Sequence, residues 1–319
     1  MTDRCNLRCR YCVPSSEFVS LSHGQILTYE EITRVVRLLA SAGVSSVRLT
    51  GGEPLVRKGL AGLVRGLGQV PGIADLSLTT NGLLLASRAA DLKAAGLSRV
   101  NVSVDSLRSD RFTWITDPKG IRPPGDLDEV LRGLSVSNHV GLRPVKVNVV
   151  LMRGFNDDEV EDFARLARDS DYEVRFIEFM PMGPGSFWSR DRIVPAAEVI
   201  ARLERAFGAL IPDPLGRGSG PAARYRVPGF AGRIGVITPI SSHFCVSCNR
   251  IRITADGKVR TCLFSDDEID LMPFLRGGGT DGQILDAIRA ALREKPHGHE
   301  IGAKGILAAC ARTMNHIGG

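Results

Sequence analysis

No apolar run in this 319-residue chain comes near the roughly 18 residues that a membrane-spanning helix requires, so no membrane span is expected. Aromatic residues are scarce, at 6%, which argues against a stacking groove for single-stranded nucleic acid. The 41 Lys and Arg residues outnumber the 35 Asp and Glu, for a net charge of +6, yet they nowhere run together into a basic arm. Self-similarity at a period of about 20–50 residues is absent, which excludes a solenoid or a propeller. No cleavable signal precedes the first motif, because the sequence opens directly on cysteines. The cysteines also lack the dispersed pattern of a disulfide framework. Six of the seven fall in two tight groups, which favours metal ligation in a reducing cytoplasm.

What is present fits an ordinary globule, with 43% hydrophobic residues and room for one large α/β unit, with or without an appendage. The positive balance suits a small polyanionic ligand better than a polynucleotide.

The stretch Cys5-Asn6-Leu7-Arg8-Cys9-Arg10-Tyr11-Cys12 holds three thiols spaced C-x3-C-x2-C. Thiolates are the usual ligands of iron–sulfur clusters. Three of them can hold three irons of a cubane and leave the fourth iron open to a small chelating molecule. Zinc competes for the same spacing, since C-x2-C serves both metals.

Downstream, helix and strand signals alternate. Thr28 and Glu31 make a capping box for a helix over 28–43, with Ile32, Val35, Val36 and Leu39 as its apolar stripe. Strands are predicted over 44–50, 75–80, 99–105, 145–151 and 173–180. Helices are predicted over 57–67, 83–95, 157–168 and 195–207, with a further one through 130–136. Such alternation means parallel strands wrapped by helices. Small and polar residues gather at the strands' C-terminal ends (Gly51-Gly52-Glu53, Thr79-Thr80-Asn81, Ser103-Val104-Asp105), the face where barrels of this kind carry their sites. Beyond Gly208 the rhythm stops. Gly- and Pro-rich segments enclose short strand-like pieces near Tyr225 and Ile234, so a smaller, irregular region is expected from about residue 210.

A second set, Cys245-Val246-Ser247-Cys248 followed by Cys262, is spaced C-x2-C-x13-C. A second cubane with an open iron and a zinc site completed by His243 are both compatible with it. Cys310 stands alone and reads as a small buried hydrophobe.

Taken together, these motifs resemble the radical S-adenosylmethionine (SAM) superfamily and, within it, the GTP 3′,8-cyclase family of molybdenum cofactor biosynthesis. The resemblance runs through Thr50-Gly51-Gly52-Glu53-Pro54, Thr80-Asn81-Gly82, Asn101 to Ser106, Lys146-Val147-Asn148, Phe176 to Met180 and Arg250-Ile251-Arg252, and ends on Gly318-Gly319. It implies an α/β fold, a partial (β/α)6 TIM-like barrel over 1–210 with a [4Fe–4S] site at its start. Residues 211–319 would form the C-terminal region with a second [4Fe–4S] site and the Gly-Gly tail. The family's barrel has a strand just before the first cysteine motif, and this sequence begins too late to contain it.

The resemblance also implies roles. Cys5, Cys9 and Cys12 would hold the SAM cluster, and Cys245, Cys248 and Cys262 the second, with the two facing each other across the barrel mouth. Tyr11, Gly52, Ser103 and Met180 would contact SAM, with Glu53 near its amino group. Arg48, Thr79, Lys146, Arg250, Ile251 and Arg252 would line a GTP site, with Arg175 a further cation. Gly318 and Gly319 would reach into the active site. The implied partners are GTP, an external electron donor and a downstream cyclic pyranopterin monophosphate synthase. The chain would be a cytoplasmic monomer or homodimer, with no nucleic acid and no membrane.

Three further readings follow. Arg48, between Val47 and Leu49 on a strand, is expected to be a buried cation needing compensation. Gly51 and Gly52 are expected to let the backbone approach a ligand closely. The absent first strand, and Ser46 where the family often has Lys, remove two phosphate contacts and weaken GTP binding. The alternatives are another radical SAM enzyme with an auxiliary cluster, of the peptide-modifying maturase type, and a metal-stabilised nucleic-acid-binding protein.

Overall fold

The computed structural model describes residues 1–12, 20–117, 119–120, 126–182, 187–213, 220–298 and 310–318. Five parallel strands follow one another in space as in sequence: β1 (Ser46–Leu49), β2 (Asp75–Thr80), β3 (Arg99–Ser103), β4 (Lys146–Leu151) and β5 (Glu173–Glu178). A sixth parallel strand, β8 (Arg233–Ile237), pairs with β5. The antiparallel strands β7 (Ala223–Arg226) and β6 (Ile211–Pro212) finish the sheet. The order β1-β2-β3-β4-β5-β8-β7-β6 leaves β1 and β6 as edges among the described residues. This is an α/β fold with an open, partial TIM-like barrel. Strands β6–β8 lie beyond residue 210 and continue the same sheet.

The helices are α1 (Tyr29–Ser41), α2 (Leu60–Gly68), α3 (Leu85–Ala94), α4 (Ser109–Thr116), α5 (Asp126–His139), α6 (Val160–Arg165) and α7 (Ala196–Phe207), then α8 (Met272–Arg276), α9 (Asp281–Arg293) and α10 (Met314–Ile317). Helix α1 begins as its sequence dictates. Thr28 Oγ1 accepts from Glu31 N at 3.2 Å while Thr28 N donates to Glu31 Oε2 at 2.8 Å, so two otherwise orphaned donors are satisfied. Val35, Val36 and Leu39 are buried, and Ile32 packs against the core from a half-buried position.

One large core lies between the sheet and α1–α7, built on Leu49, Leu78, Val100, Val102, Val147, Val149 and Val174 from the strands. A second cluster joins Val35 and Leu39 of α1 to Ile284, Ile288 and Ala291 of α9 and to Val259. Val259 belongs to a small antiparallel sheet of β9 (Arg252–Ile253), β10 (Lys258–Arg260) and β11 (Ile269–Asp270). Packing against α1 therefore orders the region expected to be irregular. Its helix α9 opens on a second capping box, between Thr280 and Gln283. Among the described residues no helix is long and apolar enough to cross a membrane.

The residues before Cys5 form no strand. They run beside the exit of β1, where Thr2 O accepts from Gly52 N at 2.6 Å and Arg4 O from Glu53 N at 2.8 Å. The place expected for a sixth strand thus holds a short extended segment, and the sixth parallel strand is β8.

Candidate functional site

A cavity of about 300 Å³ opens at the C-terminal ends of the strands, and Cys5, Cys9, Cys12, Cys245, Cys248 and Cys262 all line it. None of the seven cysteines is in a disulfide.

The first thiols sit on a loop held by the last turn of α4, because Arg8 N donates to Thr116 O and Arg10 N to Ile115 O, each at 2.9 Å. Arg10 Nε also donates to Trp114 O at 2.7 Å, and its guanidinium stacks 4.3 Å from the Trp114 ring. Asn81 Nδ2 binds Asn6 Oδ1 at 2.8 Å and lies 3.7 Å from Cys5 Sγ. Burial pushes the Cys5, Cys9 and Cys12 thiols up, Cys12 to about 12, and for Cys9 and Cys12 mutual repulsion adds to it. Three sequestered thiols cannot all ionise without a local cation, and this is the charge that a metal cluster supplies. The donor set therefore fits a thiolate-bound cluster.

The second set is braced from α9. Lys295 Nζ donates to Cys248 O at 2.6 Å and Arg250 O at 2.9 Å, and lies 3.7 Å from Cys248 Sγ. Desolvation opposes ionisation of Cys248, but Arg250 and Lys295 outweigh it and hold the thiol below its ordinary value. This donor set also fits thiolate ligation. His243 lines the same cavity. Among the described residues no three His, Cys, Asp or Glu side chains form a group that could hold a metal ion; a cubane differs from a lone ion in giving each thiolate its own iron.

Tyr11, Gly52, Ser103 and Met180 line the cavity between the two sets. The Tyr11 hydroxyl donates to Asp105 Oδ2 at 2.6 Å, and Asp105 Oδ1 accepts from Val150 N at 2.9 Å. Burial lifts the Asp105 carboxyl to about 6. Glu53 does not line the cavity. It lies behind the wall, accepting from Leu55 N at 2.9 Å, Thr80 Oγ1 at 2.8 Å and Asn81 N at 2.7 Å, and so fastens the Gly-Gly-Glu-Pro turn to the next one. Desolvation raises this carboxyl to about 7. Gly52 is a correction to the sequence reading. A Cβ there would meet Arg4 O at 2.3 Å, so the close approach that needs glycine is to the chain's own first residues.

Arg48, Thr79, Arg250 and Arg252 also line the cavity. Arg48 is a second correction, because its side chain is open to the cavity, desolvated by the walls around it, and has no carboxylate partner among the described residues. Desolvation, with repulsion from Arg99, Arg175, Arg250 and Arg252, pulls it down to about 10. Arg252 falls to about 10 as well, by burial and by Arg250. Lys146 stands behind the wall, 3.8 Å from Glu173. Ile251 packs with the α1–α9 cluster instead of facing the cavity. The Gly318 carbonyl accepts from Arg252, and Gly318 abuts Thr50, at the cavity's edge. Gly319 lies outside the described residues. Ser46, at the start of β1, donates to Asp75 Oδ2 at 2.8 Å. Sequence reasoning missed Lys295, Glu173 and Arg224; no local pattern marks any of them, and only the folded chain brings them to the cavity's walls.

A Radical SAM superfamily model matches residues 1–167, and a Molybdenum Cofactor Synthesis C model matches residues 172–301. A GTP 3′,8-cyclase from Alkaliphilus metalliredigens is 47% identical over 319 residues, covering 100% of this chain and 95% of the relative. One from Pelotomaculum thermopropionicum is 50% identical over 301 residues, covering 94% and 91%. One from Moorella thermoacetica is 46% identical over 319 residues, covering 100% and 95%. Among solved structures, HydG, a maturase of the [FeFe]-hydrogenase, matches 64% of this chain and 48% of its own at 16% identity with a TM-score of 0.51, a likeness of fold alone.

Proposed function

The chain belongs to the GTP 3′,8-cyclase family of radical SAM enzymes, and from that premise we propose how its cavity carries out the reaction. It converts GTP, with SAM, to (8S)-3′,8-cyclo-7,8-dihydroguanosine 5′-triphosphate, the first step of molybdenum cofactor biosynthesis. Two [4Fe–4S] clusters serve it. The observation that carries this reading is that two cysteine triads and four arginines, Arg48, Arg175, Arg250 and Arg252, line one cavity.

Cys5, Cys9 and Cys12 hold the first cluster, and Cys245, Cys248 and Cys262 the second. When bound, the first cluster and SAM would supply the electron and the radical chemistry that removes hydrogen from C3′ of the ribose, and the second cluster would supply a Lewis-acidic site for guanine. Every other task falls to the chain. Tyr11, Gly52, Ser103 and Met180 form the SAM wall, and Asp105 fixes Tyr11. Glu53 holds the two turns beneath it from behind the wall. The triphosphate brings about four negative charges, and Arg grips phosphate through parallel bonds. Arg48, Arg175, Arg250 and Arg252, with Lys146 behind them, meet that charge, and Thr79 adds a hydroxyl. Ile251 acts from behind, seating Arg250 and Arg252 through its packing. Gly318, fastened by Arg252, brings the tail to the site, and Gly319 would act from its end. The chain's share of catalysis is to place C3′ and C8 at reacting distance and keep them there.

We divide these duties at about residue 210, with 1–210 carrying the SAM side and 211–319 the guanine side. The chain works in the cytoplasm as a monomer or homodimer, draws on an external electron donor and passes its product to a cyclic pyranopterin monophosphate synthase. Anaerobic incubation with GTP, SAM and dithionite tests the reading. Loss of GTP in step with 5′-deoxyadenosine is expected, and SAM cleavage with GTP untouched would refute it.

A further inference from the structure

Behind the cavity wall a single buried carboxylate gathers three cations. Glu173 opens β5, and Arg175, two residues on, projects from the same face of the strand. Glu173 Oε1 accepts from Arg175 Nε at 2.6 Å and from Arg224 Nε at 3.2 Å. Glu173 Oε2 lies 3.8 Å from Lys146 Nζ, across the β4–β5 register that sets these two residues side by side. Glu173, Lys146 and Arg175 are almost wholly buried, at 4%, 3% and 2% exposure.

Arg175 packs past an absent side chain. Gly235 of β8 is the register neighbour of Arg175 on one side and of Arg224 on the other. A Cβ on Gly235 would meet Arg175 Cγ at 3.1 Å and Ala222 Cβ at 3.3 Å. Glycine therefore leaves the space that the Arg175 side chain uses on its way to Glu173.

One anion against two guanidiniums leaves a buried excess of positive charge even where the Lys146 amine is neutral, which is costly without a further counter-anion. The nearby Asp75 does not supply it, since its carboxylate is already paired with Arg99 at 2.5 Å. Arg175 is the member of the group that reaches the cavity lining. Its Nη2 lies 2.6 Å from Glu173 Oε1 in charge contact and makes no aligned hydrogen bond among the described residues.

We propose that Glu173 is the positioning residue for the anion-binding cations of this cavity: it touches no substrate, but sets Arg175, Arg224 and Lys146 in one fixed array that a polyphosphate completes. This rests on the reading that GTP occupies the cavity. The array makes recognition depend on phosphate charge, since the guanidinium fork pays its ordering cost before the ligand arrives.

The test is calorimetric titration of the anaerobically purified holoenzyme with GTP, GDP and guanosine, on the wild type and on Glu173→Gln, Glu173→Asp and Arg175→Ala. Glu173→Gln is expected to weaken GTP by about tenfold or more, GDP by less and guanosine not at all. SAM binding and iron content should be unchanged, a pattern that general loosening of the fold would not give. Unchanged GTP binding in Glu173→Gln, with Arg175→Ala still losing affinity, overturns the proposal and leaves the site reading intact. Unchanged binding in both variants overturns the site reading and the proposal together. If Glu173→Gln does not accumulate, Glu173→Asp decides: selective loss of GTP affinity supports the array, and equal changes for GTP and guanosine overturn it.

Discussion

The Arg252 guanidinium donates through Nη1 to the carbonyl of Gly318, 66 residues further along the chain. One cation of the cavity thereby fastens the C-terminal segment. That segment is anchored upstream too, by Arg312 on Asp256 and Glu268, each at 2.9 Å, and by Asn315 Nδ2 on Asp3 O at 3.1 Å. Arg252 thus has two functions, charge for the substrate and a tether for the tail. Arg252→Ala should lower GTP conversion by about tenfold or more, the worth of a charge-assisted hydrogen bond, while leaving GTP-independent SAM cleavage within about twofold. Parallel assays of cyclised nucleotide and 5′-deoxyadenosine measure both; equal losses would place Arg252 outside substrate handling.

The six cavity cysteines call for two cubanes. Anaerobically purified protein should carry about eight irons per chain. Cys9→Ala should carry about four and form no 5′-deoxyadenosine, while still retaining the second cluster. Metal analysis showing four irons and one zinc in the unaltered chain would remove the second cubane.

Lys295 braces the loop that carries Cys248 and Arg250. Lys295→Met should loosen that loop without touching the first. Under a chelator the variant should lose roughly half its iron at least several-fold faster than wild type, with the remainder stable. Uniform loss of both clusters would contradict this.

Burial, with repulsion from Arg175, draws Lys146 down to about 7. The charged groups facing it are Arg99 on β3, Glu173 and Arg175 on β5 and Arg224 on β7. Its folded value lies below the unfolded one, so the ligand-free fold bears the cost of a buried charge below about pH 7. Stability from this group rises as the pH climbs from there toward the ordinary lysine range near about 10.4. A bound polyphosphate reverses the preference and favours the charged amine. GTP binding at pH 8 should therefore take up close to one proton, since phosphate itself is already ionised above about pH 6. Calorimetry in buffers of different ionisation heat measures this uptake. Lys146→Met should abolish it, and persistence in the variant would assign the proton elsewhere.

Much of the site was legible because its chemistry is written in local spacing. Cysteines three and four residues apart share one loop whatever the rest of the fold does, and the apolar runs of β2, β4 and β5 and the capping box of α1 carry their own signals. What escaped was set by long-range register. Nothing near Lys146 reveals that Glu173 stands beside it, nor does Gly235 announce that Arg175 packs over it. Gly52 was read as an approach to a ligand, yet the atoms that crowd it belong to Arg4 and Asp3. The Thr280–Gln283 capping box and the spacing of Ile284, Ile288 and Ala291 did mark α9 in the sequence. The Gly- and Pro-rich surroundings drew the eye from them. Helix α4 is short and half apolar, and only its hydrogen bonds to the cysteine loop show what it is for.

The most direct test of the central claim follows the hydrogen on C3′. Closing a bond between C3′ and C8 moves that hydrogen to 5′-deoxyadenosine and returns one electron and one proton to the ring, so the product is an isomer of GTP. With GTP deuterated at C3′, anaerobic turnover should deliver the deuterium into 5′-deoxyadenosine and yield a triphosphate that has lost the label and elutes apart from GTP. Unlabelled 5′-deoxyadenosine beside fully deuterated, unaltered GTP would contradict the account.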